Sequence, residues 1–189
     1  MSNRRLPSSV RNWFAGGRRG LWDLVAGGLS VGSMGLLALA SGQPFIFPSL
    51  GPTAFLVFDA PLAPESSPRN AILGHLVGVA CAWGSLAVTG LLDAPSAMVA
   101  GVSANRAIAA GLCLGLTSAL MIWLRVRHPP ACATTLIVGL GILARPNQLA
   151  ILMLGVAILV VEAFVLNRLA GIRYPIWSAR PDPATRPHA

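Results

Sequence analysis

Charged side chains are scarce in this sequence, and lysine is absent. Only 11% of the 189 residues are charged and six are acidic, whereas 54% are hydrophobic. The mean hydropathy is +0.68. A soluble domain of this length has too much surface for its volume to hide so many apolar side chains. The composition therefore excludes an ordinary soluble domain and predicts a protein embedded in a lipid bilayer.

Motifs of common enzymes are also missing. The chain has no HExxH, GxSxG or Walker sequence, and its three cysteines form no CxxC pair. A metal site would have to combine His75 and His128 with Glu162 or a cysteine. We therefore expect no catalytic residues, no cofactor and no metal, with a membrane-embedded enzyme as the weaker alternative.

Arginines are concentrated in the two tails. Residues 1–19 carry five arginines and no acid, and residues 169–189 carry three arginines against Asp182. Because they flank apolar spans, they indicate anchoring at the cytoplasmic face of a membrane and not nucleic-acid binding. We predict a basic cytoplasmic N-terminal tail at 1–20, one transmembrane domain at 21–168 and a polar C-terminal tail at 169–189. The alanine- and arginine-rich composition is typical of high-GC bacteria, so we expect a bacterial inner (plasma) membrane.

Four apolar segments are long enough to cross the hydrocarbon core, which takes about 20 helical residues. They are residues 21–41, 70–92, 104–125 and 147–168. Glycines four residues apart inside them, such as Gly74 and Gly78, let helix backbones approach closely. The pattern predicts an all-α membrane protein.

Two shorter apolar segments, at 43–58 and 127–141, open with prolines followed by small or hydroxyl residues. Proline favours extended backbone ahead of it and is tolerated in the first turn of a helix. Each segment is therefore predicted to be an extended stretch followed by a half-helix. The order of long helix, broken half-helix and long helix then occurs twice, in repeat one (21–92) and repeat two (104–168).

The broken segments either cross the bilayer or dip into it and return. About six extended and nine helical residues cover roughly 33 Å, enough for a core of about 30 Å. With six crossings, Arg69, Arg125 and Arg127 lie on the same side as both tails, as the positive-inside rule favours. We therefore prefer six crossings, which make the repeat inverted, to four crossings with two re-entrant segments.

The N-termini of the half-helices are the best candidates for a ligand site. Interrupted helices at matching positions of two halves often mark the binding site of a transporter. A helix N-terminus also offers N–H groups and the positive end of its dipole to an anion. The candidate donors are Ser49, Thr53 and the 50–54 amides in the first half, and Thr134, Thr135 and the 131–134 amides in the second. The same hydroxyls could instead only cap the helices.

Three ionisable side chains of the apolar segments are candidates for a function. His128, at the mouth of the second half-helix, could add charge for an anion, carry a proton or hold loop carbonyls. His75 is either a polar link between helices or a pathway residue. Glu162 lies well inside the last span, where a carboxylate is costly. We treat His128 and Glu162 as candidates for proton coupling.

Four motifs resemble the signatures of the HPP family of integral membrane proteins. They are Arg-His-Pro-Pro-Ala at 127–131, Phe-Pro-Ser-Leu-Gly-Pro-Thr-Ala at 47–54, Pro-Arg-Asn at 68–70 and Gly-His-Leu-Val-Gly at 74–78. They occur in the family's order, and the resemblance covers about residues 20–170. The family is usually described with four transmembrane helices, and its chloroplast and cyanobacterial members are linked to nitrite transport.

The resemblance implies candidate binding roles for a defined set of residues. By motif match these are Ser49, Leu50, Gly51, Pro52, Thr53, Asn70, His75, His128, Pro129 and Pro130, to which the half-helix argument adds Ala54, Ala131, Thr134 and Thr135. Our hypothesis is a membrane transporter or channel for a small monovalent inorganic anion, with nitrite the leading candidate. We expect a homo-oligomer, with a dimer favoured. The alternative from another class is a non-transporting assembly or sensory subunit.

Overall fold

The computed structural model describes residues 8–179, and side chains over 16–179. The helices are α1 (Ser8–Ser41), α2 (Leu50–Asp59), α3 (Pro68–Val88), α4 (Ala97–Ala100), α5 (Ala104–Trp123), α6 (Ala131–Gly139) and α7 (Pro146–Leu169), with a 3-10 turn at Pro64–Ser66. No strand occurs in this range. The predicted all-α class is confirmed.

The four predicted long helices are α1, α3, α5 and α7, each long and apolar enough to cross a membrane. Ser67 directly precedes α3, and its hydroxyl accepts a hydrogen bond from the Asn70 amide. The hydroxyl of Ser103, which precedes α5, accepts one from the Arg106 amide. Such caps satisfy amides that have no partner inside the helix. Helix α1 begins at Ser8, so part of the predicted 1–20 tail is helical, while residues 1–7 lie outside the described range.

Both broken segments have the predicted form. An extended stretch after α1 leads into α2, and a second one after α5 leads into α6. The first stretch packs the ring of Phe47 against α7, where a side chain at Gly155 would lie 3.1 Å from it. The second begins at Arg125, which turns the chain sharply with a left-handed φ of 55°.

The two half-helices run toward opposite ends of the bundle. Near the end of α2, the Leu56 carbonyl accepts a hydrogen bond from Ser66, just before α3 begins. At the end of α6, the Leu140 carbonyl accepts one from the Ala97 amide, in the connection after α3 ends. Since the 21 residues of α3 span about 30 Å, the half-helices point in opposite directions. Each broken segment thus runs from one end of the bundle to the other, giving six traverses.

Arginines are distributed unequally between the two ends of the bundle. We call the end where α1 and α3 begin the basic end; the arginines near it are Arg18, Arg19, Arg69, Arg125, Arg127, Arg168 and Arg173. At the opposite end, the described arginines are Arg106 and Arg145.

The first part of the predicted C-terminal tail packs onto the basic end. Tyr174 is fully buried, and its hydroxyl donates to the Ser66 carbonyl at 2.5 Å. The Arg69 amide donates to the Trp177 carbonyl. Composition alone predicted a polar tail from residue 169, whereas residues up to 179 close this end of the bundle; residues 180–189 lie outside the described range.

Candidate binding site at two half-helix N-termini

The N-termini of α2 and α6 meet in the interior of the bundle. Ser49 precedes α2, Thr134 lies in the first turn of α6, and their hydroxyl oxygens are 2.6 Å apart. Around them lies what we call the central cluster, which consists of Ser49, Thr53, His75, His128 and Thr134. All five side chains are fully buried.

His75 of α3 bridges the two half-helices. Its Nε2 lies 3.0 Å from Thr53 Oγ1 of α2, and its Nδ1 lies 2.7 Å from Thr134 Oγ1 of α6. Ser49 directly precedes α2, and Pro130 directly precedes α6. Each threonine lies four residues further along the chain. One imidazole therefore joins corresponding positions of the two halves.

His128 completes the cluster from the extended stretch before α6. Its Nδ1 lies 2.8 Å from the Glu65 carbonyl, which can only accept, so Nδ1 carries the proton. Its Nε2 lies 3.3 Å from Thr53 Oγ1. The two imidazole centroids are 5.0 Å apart. The Thr53 hydroxyl has one proton and donates it to the Ser49 carbonyl at 2.8 Å.

These contacts join the five side chains of the central cluster into one network. It extends from Ser49 through Thr134, His75, Thr53 and His128 to the Glu65 carbonyl. Each buried imidazole nitrogen has a polar atom within hydrogen-bond distance, as native interiors generally provide.

Two glycines of α3 allow the second half to approach the cluster. A side chain at Gly74 would lie 2.8 Å from His128 Cβ, and one at Gly78 would lie 2.7 Å from Thr135 Oγ1 and 3.0 Å from the Ala131 carbonyl. Real Cβ contacts do not come so close. The predicted close approach at Gly74 and Gly78 is confirmed, and it fixes the position of α6 against His75.

The C-terminus of each half-helix contacts an arginine from the preceding long helix. Arg19 of α1 bonds both the carboxylate and the carbonyl of Asp59 at the end of α2. Arg106 of α5 is 2% exposed and donates to the Gly139 carbonyl at the end of α6 and to the Pro95 carbonyl. Cations stabilise the negative end of a helix dipole, so the positive ends are left facing the central cluster.

The predicted amide donors of the second half are engaged in the backbone. The amides of Ala131, Cys132 and Ala133 donate to the carbonyls of the three residues from His128 to Pro130. Those of Leu50 and Thr53 in the first half likewise have backbone acceptors, and Pro52 has no N–H. In this conformation the groups at the meeting point are therefore hydroxyls and imidazoles.

Several predicted site residues lie outside the central cluster. Asn70 donates to the Arg127 carbonyl, Thr135 Oγ1 donates to Thr117 Oγ1, and Glu162 contacts Ser33 instead of an arginine. The side chains of Leu50, Ala54 and Ala131 belong to the apolar core, Pro130 is buried, and Gly51, Pro52 and Pro129 are exposed. The sequence gives no signal for the Glu65 carbonyl, because any residue could supply it.

Within the described residues, no group of three or more His, Cys, Asp or Glu side chains is arranged to hold a metal ion. The chemistry of the cluster is that of hydrogen bonding and proton exchange. The connected hydroxyl and imidazole groups can present donors to an anion once the two halves separate.

Comparison with known proteins decides the family. The model of the HPP transmembrane region matches residues 15–175. The chain belongs to the HPP family. It is 28% identical over 145 residues to a transmembrane protein of Dictyostelium discoideum, covering 74% of this chain and 47% of that protein. A second Dictyostelium discoideum transmembrane protein is 28% identical over 138 residues, covering 70% and 41%.

This HPP protein thus spans less than half the length of the curated relatives it matches. No solved structure matches the chain. Family membership and the four long apolar helices together make it a multi-pass membrane protein.

Proposed function

We propose that this HPP protein moves a small monovalent anion across the membrane, with nitrite as the leading candidate. The observation that carries the proposal is the meeting of two oppositely directed half-helix N-termini at buried hydroxyls, with Ser49 and Thr134 2.6 Å apart. The positive dipole ends and the hydroxyl and imidazole donors offer a negative solute partners that replace its water.

The cluster is closed, and this determines how transport would proceed. Ser49, Thr134 and His75 are fully buried and use one another as hydrogen-bond partners. An anion can enter only when contacts between α2 and α6 break. We propose that the two halves part, first toward one side and then toward the other, and that the hydroxyls and half-helix amides then bind the anion.

A disulfide between the half-helices tests this movement. The variant Ser49→Cys/Thr134→Cys places two thiols where the hydroxyls now touch. Oxidised protein in proteoliposomes is expected to lose uptake, and reduction is expected to restore it. The single variants, which retain the native Cys81, Cys113 and Cys132, are the matched controls and should show no effect of oxidation.

Uptake of nitrite, nitrate, formate and chloride by proteoliposomes tests the substrate. Nitrite entry above that of empty vesicles, reduced by Thr53→Val, is the expected result. If none of the four anions enters faster than into empty vesicles, the transport proposal is wrong.

We further propose that the basic end faces the cytoplasm of a bacterium, with the N-terminus on that side. The unequal number of arginines at the two ends supports this orientation. The six traverses would then be six crossings related as an inverted repeat. Homodimerisation remains part of the proposal, and cross-linking of the protein in native membranes tests it.

A further inference from the structure

A second polar region lies between α1 and α7, away from the central cluster. Among the described side chains, five buried polar atoms find no hydrogen-bond partner in the protein. They are Trp22 Nε1, Asp23 Oδ1 and Ser30 Oγ on α1, with Glu162 Oε2 and Asn167 Oδ1 on α7. We call this region the α1–α7 seam. Random packing faults would be scattered over the fold, whereas all five of these atoms lie on one pair of helices.

The seam runs from mid-helix to the basic end. Ser33 Oγ lies 2.5 Å from Glu162 Oε1 and joins the two helices at the deepest point. At about 1.5 Å per residue, Ser30 lies about 4–5 Å nearer the basic end than Ser33, and Asn167 about 7–8 Å nearer than Glu162. Trp22 and Asp23 lie about 15–17 Å from the level of Ser33. Polar atoms thus recur along the whole path.

Helix α2 forms the third wall at the basic end. The Asn167 side-chain amide donates to the Val57 carbonyl, which leaves its own carbonyl oxygen free, and the Trp22 ring packs edge-on against Phe58. Asn167 is fully buried and Ser30 is 1% exposed, so neither atom reaches the lipid or the outer surface directly. Hydrocarbon offers no hydrogen bonds, and unpaired polar groups inside a bilayer are found where they line a wet cavity.

We propose that the α1–α7 seam opens at the basic end into a water-filled crevice and makes the Glu162 carboxyl a proton-exchange site. The unpartnered oxygens of Ser30, Asn167 and Glu162 have no accessible surface in the closed seam, and water that enters when it opens supplies their missing partners. This water delivers a proton to the carboxylate and takes it back, with no other bond changed. The inference is separate from anion binding, because over residues 16–179 Glu162 shares no hydrogen bond with the central cluster.

The charges around the crevice suit this role. The ion pair of Arg19 with Asp59, on α1 and α2, stands at the mouth near Asp23. On α7, Arg168 is turned away to the Tyr174 carbonyl and the Phe164 ring. Over residues 16–179, no arginine comes within ion-pair distance of Glu162. Among these residues the carboxyl therefore has no arginine partner, and α3, which also packs on α7, carries no acid.

Cysteine accessibility tests the crevice. In Ser30→Cys and Ser33→Cys proteins, a charged, membrane-impermeant thiol reagent added at the basic end is expected to react about tenfold faster than with Leu29→Cys or Leu36→Cys. The two leucines lie within one helical turn of these serines on the lipid-facing side of α1, at 59% and 68% exposure, where hydrocarbon keeps such a reagent out. Reaction of the unsubstituted protein gives the background. Equal, slow reaction of all four variants would rule out the crevice.

Carbodiimide labelling tests the proton site. The protonated carboxyl adds across a C=N bond of dicyclohexylcarbodiimide, so the mapped adduct on Glu162 reports the protonated form. Labelling should rise several-fold when the compartment at the basic end is acidified, because only the protonated carboxyl reacts. Glu162→Gln should give no adduct. Labelling that follows the opposite compartment, or neither, would overturn the proposal.

Discussion

The central cluster and the α1–α7 seam are both polar, buried and enclosed by apolar helices, yet they differ in one respect. In the cluster, His75 and the two threonines find their partners in one another. In the seam, Ser30 and Glu162 each keep an oxygen without a hydrogen-bond partner among the described residues. A satisfied polar network specifies one arrangement of its elements, whereas an unsatisfied one requires a partner from outside.

The difference assigns separate tasks to the two regions. The cluster joins α2 to α6, and under the proposed transport it has to break for a solute to pass between them. The seam is complete only with water, so it can stay open while the cluster stays closed. Substitutions that act on one region and spare the other therefore test the division.

Replacing His75 should have the largest effect. His75→Leu removes the ring that contacts both Thr53 and Thr134. Two buried hydrogen bonds at about 1–1.5 kcal/mol each predict a loss of about 3 kcal/mol in the free energy of unfolding. Denaturant unfolding in detergent measures it. Leu76→Ala, on the exposed side of the same turn, is the control and should cost clearly less. A smaller loss at residue 75 than at residue 76 would mean that the cluster does not hold the halves together.

Gly78→Ala should have the next largest effect, because it pushes α6 away from α3. A methyl group at Gly78 would collide with the Ala131 carbonyl and Thr135, and overpacking of this kind costs about 2 kcal/mol. Gly84→Ala, on the same helix with no atom within 4 Å, is the matched control. It should be neutral or stabilising by up to about 1 kcal/mol, because alanine favours the helix. Similar thermal unfolding of the two variants would contradict the close packing.

Tyr174 shows how a satisfied polar group behaves outside the membrane spans. Burial raises the pKa of its phenol above the usual value, because ionisation would remove the hydrogen bond to Ser66 and bury a charge. The group therefore adds stability that is fully present below about pH 10 and is lost as the pH rises further. Thermal unfolding against pH should show this alkaline decline. Tyr174→Phe should lower stability by about 1 kcal/mol at neutral pH and reduce the decline; an unchanged decline would assign it to another group.

Hydropathy was sufficient to predict the four long helices, since each needs an apolar run of about 20 residues. It placed the start of α1 too late, because the helix extends to Ser8 through residues that are too polar to count as a span. The spacing of glycines was informative in α3 but not elsewhere. Gly111 and Gly115 of α5 are also four apart, yet a side chain at either would meet no atom within 4 Å. Spacing shows that a helix can be approached closely, and only tertiary packing decides on which face this happens.

The sequence predicted that hydroxyls and His128 would gather at the half-helix N-termini, because prolines mark where those helices begin. It did not predict that His75 would bridge Thr53 and Thr134, since this depends on the register of α3 against both α2 and α6. Nor did it predict the seam, where only Glu162 stood out and its partner Ser33 lies 129 positions away. Anion binding by these residues stays a prediction.

Ser30→Ala should have the smallest effect, and its direction is what distinguishes the two regions. In a dry interior, the hydroxyl of Ser30 would be an unsatisfied group, and removing it would stabilise the protein by about 1 kcal/mol or more. In a crevice filled with water, the hydroxyl is already satisfied, so its loss should change stability by no more than about 0.5 kcal/mol. Thr134→Val, which removes a hydroxyl with partners inside the protein, should cost about 1 kcal/mol or more. Denaturant unfolding of both variants therefore distinguishes a seam open to water from a dry one. Clear stabilisation by Ser30→Ala would mean that the seam excludes water and that Glu162 has no access to the basic end.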